Sequence, residues 1–215
     1  MSSNGRMASG EPGGRTGGDA HLEWTEASRS RVFEGKIFDL HEVVRRARDG
    51  REGRFVLVES PDWANVVTPV RDAEGREYFV MVRQYRQGSR SLTLEFPGGI
   101  VDEGEEPEAA AWRELVEETG YVPERLELIG TVNPNPAFMS NTAYTFLAHG
   151  AHLREDRDLD PDEIMDTHLV PVEAIVHNHN PEFHVHAIMV SAVFWYERWL
   201  ERAGERGADG NRTRE

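Results

Sequence analysis

The sequence predicts a mixed α/β domain with an N-terminal β-hairpin and polar ends. Three observations point there. Short runs rich in β-branched and aromatic residues recur between Gly- and Asp-containing turns. The segment 107–119 carries the start, interior and stop signals of an α-helix, and 185–200 (VHAIMVSAVFWYERWL) has the apolar spacing of a buried one. A chain of 215 residues with no internal repeat supports one core rather than two.

Residues 1–20 are rich in Gly and Ser with no apolar run, so they predict a disordered tail. Residues 31–44 (RVFEGKIFDLHEVV) and 53–59 (GRFVLVE) read as the strands of the N-terminal hairpin, with Asp49-Gly50 at its turn. A second hairpin is expected from 63–70 (WANVVTPV) and 77–83 (EYFVMVR), which flank Asp72-Ala73-Glu74-Gly75. A strand over 92–96 should end at Pro97-Gly98-Gly99, where the backbone can approach a ligand closely. In the helix, Pro107 occupies a first-turn position and Gly120 the site just past the end. Strands follow over 126–132 and 142–148, an acidic loop over 154–163, a strand over 167–170 and a short helix over 172–176. The last helix should end near Leu200, leaving 204–215 as a second tail.

Charge and composition narrow the chemistry. Lys and Arg total 24 against 39 Asp and Glu, a formal net charge of −15. That balance argues against a nucleic-acid or anionic-membrane surface, because phosphates are bound by clustered cations. The chain has no cysteine, which excludes disulfides and thiolate chemistry. No stretch approaches the ~20 apolar residues that span a bilayer, so a cytoplasmic protein is expected. A phosphorylated substrate would then need carboxylates clustered around Mg²⁺ to offset its charge.

The predicted helix supplies such carboxylates. Glu114, Glu117 and Glu118 fall at i, i+3 and i+4 and share a face. Like charges at that spacing cost roughly a few tenths of a kcal/mol each when merely solvated, whereas an oxygen-seeking cation reverses the sign. Arg113 precedes Glu117 by four residues and can brace it, and Glu105 can reach back to the helix from the preceding loop. Ala111 with Leu115, and Trp112 with Val116, lie on the side that packs on a sheet.

These positions resemble the Nudix box: Gly99, five residues, Glu105, seven residues, then Arg113-Glu114-Leu115-Val116-Glu117-Glu118-Thr119-Gly120. Only Tyr121 departs, standing at an aliphatic position. A chance match in a chain of this composition has odds of about 10⁻⁵, and a merely solvated acidic face does not account for the spacing of Gly99, Glu105 and Arg113. The resemblance implies an α/β/α sandwich with a mixed sheet, and cleavage of a phosphoanhydride in a nucleoside diphosphate linked to another moiety. It also implies that Glu114, Glu117, Glu118 and the carbonyl of Gly98 hold Mg²⁺ or Mn²⁺. The base that activates water varies in the family, and both Glu114 and Glu163 are candidates.

Further matches lie in Val82-Arg83-Gln84-Tyr85-Arg86-Gln87, in Leu94-Glu95-Phe96-Pro97-Gly98-Gly99, in Pro136 sixteen residues after Gly120, and in the stretch from Glu163 to Val172. They resemble the ADP-ribose and nucleotide-sugar pyrophosphatase branch. That likeness implies ADP-ribose or another nucleoside diphosphate sugar as substrate, with Arg86 on a phosphate and Glu95 supporting the metal shell. Pro136, Phe138 and Ser140 would line the pocket around the second half of the substrate. It implies a homodimer in which region 21–62 crosses to a partner, with Phe33, Phe38 and Trp63 eligible to stack on the base, and a catalytic domain over 63–203. Two rival readings are a nucleotide-binding module without hydrolysis and a hydrolase of dinucleoside polyphosphates. At single positions the bland alternatives are a surface ion pair for Arg86, a solvated loop for Glu163, a turn for Pro136, ordinary histidines at His184 and His186, and core or dimer packing for the aromatic run over 194–199.

Overall fold

The computed structural model describes residues 19–154, 157, 159, 164–177 and 179–212. After a single 3-10 turn at Asp19–Leu22, an N-terminal sheet forms from β1 (Trp24–Glu34), β2 (Asp39–Ala47) and β3 (Glu52–Glu59), in that order and antiparallel. The chain continues through β4 (Trp63–Val67), β5 (Pro69–Arg71), β6 (Glu77–Arg86), β7 (Ser91–Glu95), β8 (Gly98–Ile100) and α1 (Pro107–Thr119). Then come β9 (Tyr121–Val122), β10 (Arg125–Val132), β11 (Ala143–His149), β12 (His152–Leu153), β13 (Met165–Pro171), α2 (Val172–Val176) and α3 (Ala187–Arg212).

Two four-stranded sheets carry the core. The first is mixed, in the order β10-β11-β4-β8, with β11 parallel to β4 and the other pairs antiparallel. The second centres on β6, which pairs with β13 along one edge and with β5 and β7 along the other. Alternation along β4 serves both faces of the mixed sheet. Ala64 and Val66 meet Ala110, Ala111 and Leu115 of α1, while Val67 points into a cluster with Phe79, Met81, Leu94, Phe96 and the α3 residues Met189, Ala192 and Tyr196. Phe79 lies edge-on to both Phe96 and Tyr196, with centroids 5.2 Å away in each case. Helices therefore cover opposite faces of a mixed sheet, the α/β/α sandwich that the motif implied.

Several elements differ from expectation. The N-terminal hairpin is present as β2 and β3, but a further strand is added to it. The segment read as one strand over 31–44 breaks at a turn closed by Gly35 N donating to Phe38 O, and β1 extends back to Trp24. All of β1 is exposed, so no alternating pattern marked it; pairing with β2 makes it a strand. The expected hairpin over 63–70 and 77–83 is split between the two sheets. Only Pro69–Arg71 pairs with β6, and β4 crosses into the mixed sheet at Thr68-Pro69, where Pro69 lacks an N–H for a continuous ladder. Gly98-Gly99, read as the place where the preceding strand ends, begins a short antiparallel strand, Gly98–Ile100, on β4. α3 runs on past Leu200 to Arg212, helped by the strong helix formers Glu201, Arg202 and Ala203. In the aromatic run Tyr196 is buried, Trp195 and Trp199 pack against the core, and Phe194 is exposed beneath the Arg198 guanidinium. Of the expected N-terminal tail, residues 1–18 lie outside the described residues, as does most of the acidic loop. Among the described residues no helix is long and apolar enough to cross a membrane.

Candidate active site

α1 sets the geometry because both its ends are fixed by local chemistry. Pro107 starts it, and Gly120 ends it at φ 72°, with its N–H on the carbonyl of Val116 at 2.8 Å. Thr167 Oγ donates to the carbonyl of Glu118 at 3.2 Å and ties the helix end to β13. Tyr121, the departure from the box, is half-buried at the edge of the α1 cluster, so it serves packing. Burial pushes its phenol above the ordinary range.

The carboxylates gather where α1 passes the Gly98-Gly99 turn. Glu118 is 2% exposed and accepts a hydrogen bond from Gly98 N at 2.9 Å. The carboxylate of Glu114 lies against Gly99 so closely that a Cβ there would collide with it, and a Cβ on Gly98 would collide with the Ala64 carbonyl oxygen. Both glycines are required by close approach. Arg113 ties the group together. Its guanidinium donates to both oxygens of Glu105 (3.1 and 3.0 Å), to Glu114 (2.8 Å), to Glu117 (3.3 Å) and to the Ile100 carbonyl (3.1 Å). The hydrogen bond to Glu105 is the main cause that raises its already high pKa, so Arg113 stays charged at any working pH. The same bond holds Glu105 below the usual carboxylate range. The bracing expected from sequence spacing is thus present, but Glu118 sits on the packed side of the helix and not on a solvated face.

Gly98, Glu114, Glu117, Glu118 and Arg113 are therefore brought together. Oxygen is the sole donor type offered, in buried or half-buried carboxylates, and this chemistry fits a hard divalent cation. Among the described residues, no three His, Cys, Asp or Glu side chains are already drawn into a metal-holding group. Glu163 lies outside the described residues.

Arg86 and Glu95 pair with each other. Arg86 Nε and Nη2 donate to the two oxygens of Glu95 at 2.7 and 2.6 Å, and Thr93 Oγ adds a third bond at 2.6 Å. Glu95 is 2% exposed whereas the Arg86 side chain is 43% exposed, so a buried carboxylate aims a guanidinium outward. Burial alone would raise the Glu95 carboxyl, but the Arg86 and Thr93 bonds outweigh it and hold the group below the ordinary carboxylate range. Pro136, Phe138 and Ser140 are placed elsewhere, in a groove of about 350 Å³ shared with Trp24, Val43, Arg45 and Phe55 of the N-terminal sheet. Val58 bonds this loop at both ends, donating to the Phe138 carbonyl and accepting from Ser140 N. Phe33 and Phe38 lie exposed with centroids 6.0 Å apart, and Trp63 is half-buried at the start of β4. His186, read from the sequence as an ordinary histidine, has its Nε2 3.7 Å from Glu95 Oε2; nothing local to residue 186 signals a neighbour 91 positions away.

A model of the NUDIX domain matches residues 61–191, which span β4 to the first turn of α3 and contain every carboxylate of the α1 cluster. The chain belongs to the Nudix family. It is a Nudix hydrolase with the box carboxylates in place. It is 35% identical over 153 residues to the ADP-ribose pyrophosphatase of Bacillus subtilis (strain 168), covering 71% of this chain and 80% of that one. It is 38% identical over 86 residues to the ADP-sugar pyrophosphatase of Mus musculus, covering 40% of this chain and 39% of that one. In fold it is similar to a solved ADP compounds hydrolase, with a TM-score of 0.71 at 23% identity over 85% of this chain and 96% of that chain.

Proposed function

We propose that this Nudix hydrolase cleaves the pyrophosphate linkage of ADP-ribose or another nucleoside diphosphate sugar, giving a nucleoside monophosphate and a sugar phosphate, with Mg²⁺ or Mn²⁺ as cofactor. The observation that carries the reading is the pairing of the buried Glu118 carboxylate with Gly98 N, alongside Glu114 against Gly99. Relatives named for ADP-ribose and ADP-sugar substrates support the substrate class.

Glu114, Glu117, Glu118 and the Gly98 carbonyl would hold the metal, which supplies charge neutralisation of the diphosphate and a lowered pKa for a water molecule. Arg113 keeps Glu105, Glu114 and Glu117 spaced around its guanidinium, with Glu105 fixing its orientation. Arg86, aimed by Glu95, would receive a substrate phosphate. Glu114 or Glu163 would take the proton of the attacking water. Pro136, Phe138 and Ser140, in the groove against the N-terminal sheet, would receive the second half of the substrate. The N-terminal sheet would join two copies into a homodimer.

The test is phosphate release from ADP-ribose, ADP-glucose, GDP-mannose, UDP-glucose and diadenosine polyphosphates, with and without excess alkaline phosphatase, in Mg²⁺, Mn²⁺ and a chelator. Release that needs both the metal and the phosphatase is the expected result, since cleavage between the two phosphates yields monoesters only. Release without the phosphatase, or none from any sugar nucleotide, overturns the reading.

A further inference from the structure

Among the described residues, β7 hydrogen-bonds to a strand along one edge, that of β6. Its outer edge is met by the segment 180–189. Leu94 N donates to the Glu182 carbonyl at 3.1 Å, and Phe96 N donates to Met189 Sδ at 3.0 Å. Phe183 is fully buried and lies edge-on to Phe96 at 5.7 Å. The Glu182 carboxylate takes Arg83 Nε and Nη2 at 2.7 and 2.8 Å. These contacts bind the segment to the strand that leads into Pro97-Gly98, at both ends of Glu95.

His186 stands between those anchors, directly before α3, with Nε2 3.7 Å from Glu95 Oε2. That distance exceeds a hydrogen bond, so the ring acts by packing and by its dipole. Burial keeps the imidazole below its ordinary pKa, which favours the neutral form. The Glu95 carboxylate is thereby enclosed on every side the structure shows: Thr93 and Arg86 Nε on Oε1, Arg86 Nη2 and His186 on Oε2. Two parallel bonds carry the plane of a fixed carboxylate over to the guanidinium. Any turn of Glu95 therefore disturbs two of the bonds that orient Arg86.

We propose that His186 is a positioning residue: the segment 180–189 holds its ring against Glu95, and so keeps the Arg86 guanidinium in the orientation that receives the substrate diphosphate. The proposal rests on the reading that Arg86 binds substrate phosphate. His186 touches no reacting atom.

The experiment is steady-state kinetics of the full-length chain on ADP-ribose with Mg²⁺, for His186→Ala, His186→Gln, Arg86→Ala and the double substitution, with a thermal melt of each. His186→Ala should raise KM about tenfold with kcat within about twofold, the sign of lost uniform binding. His186→Gln, which refills much of the space beside Oε2 with a neutral polar amide, should restore most of it. On the Arg86→Ala background His186→Ala should add nothing, because its effect runs through Arg86. If the two effects multiply in full, or if His186→Ala lowers kcat and melting temperature with KM unchanged, the ring is scaffold only and the proposal fails. If Arg86→Ala itself leaves KM unchanged, the phosphate-binding reading of Arg86 fails first and takes the proposal with it.

Discussion

At the scale of single residues, two carboxylates of the site, Glu95 and Glu118, stand where water scarcely reaches them. Glu118 is 2% exposed, so its carboxylate is tolerated by the Gly98 amide and the surrounding polar groups. Glu118→Gln keeps the shape and removes the charge. It should lower kcat by at least ~10²-fold with the melting temperature unchanged or raised, checked by the coupled phosphate assay beside a thermal melt. Full activity in that variant would overturn its role. Glu95 gives a pH prediction with a definite sign. Its folded carboxyl titrates below the ordinary value of about 4.3. The stability it contributes is therefore complete above that value and is lost as the pH falls through the folded pKa. The melting-temperature gap between wild type and Glu95→Gln should be widest near neutrality and should close below about pH 4. A gap that is constant from pH 7 to pH 3 would contradict the ionised pairing with Arg86. Arg113 adds no such window, because its pKa is raised further beyond any working pH.

Among the elements, α1 was legible in its bounds and its carboxylate spacing. Its start and stop signals lie within a dozen or so neighbouring positions, and the structure gives Pro107–Thr119 as expected, but Val116, expected on the packed side, is only half-buried while Glu118 is buried. Leu115 has no exposed surface and sits between α1 and the mixed sheet. Leu115→Ala should cost about 3 kcal/mol, read as a lower urea midpoint at unchanged m, and should carry activity down with it as Glu114 and Glu118 lose their placement. A loss under about 1 kcal/mol would mean that the helix gains little from that contact. β1 and β4 were less legible. A strand with both faces exposed has no period to detect, and a strand interrupted by Thr68-Pro69 looks continuous until its two halves pair in different sheets.

For the molecule as a whole, the N-terminal sheet is the part least explained by one copy. Val32, Phe33, Ile37 and Phe38 are exposed at 59, 52, 56 and 39%, a group of large apolar side chains unusual on the surface of a monomer. The proposed homodimer would cover them. Sedimentation equilibrium at micromolar concentration should show a dimer, and Phe33→Glu with Val32→Glu should shift it to monomer while the box carboxylates keep their geometry. A wild-type monomer at that concentration would remove the proposal. A dimer that survives both substitutions would move the contact elsewhere.

By itself the sequence determined the family, the carboxylate-bearing helix with both its ends, and the residues that brace it. Those signals are local: a proline, a glycine, a helical period and a fixed spacing between charges. Only the tertiary structure decided that Glu118 faces inward, that Arg86 is held by Glu95, that Glu182 and His186 close around β7, and that the chain divides between sheets at Thr68-Pro69. Each of these outcomes depends on which side chains meet or are buried once the chain has packed, some of them about a hundred positions apart in the sequence. Local pattern carries no record of such meetings, because they are set by how the sheets and helices pack and not by the residues on either side.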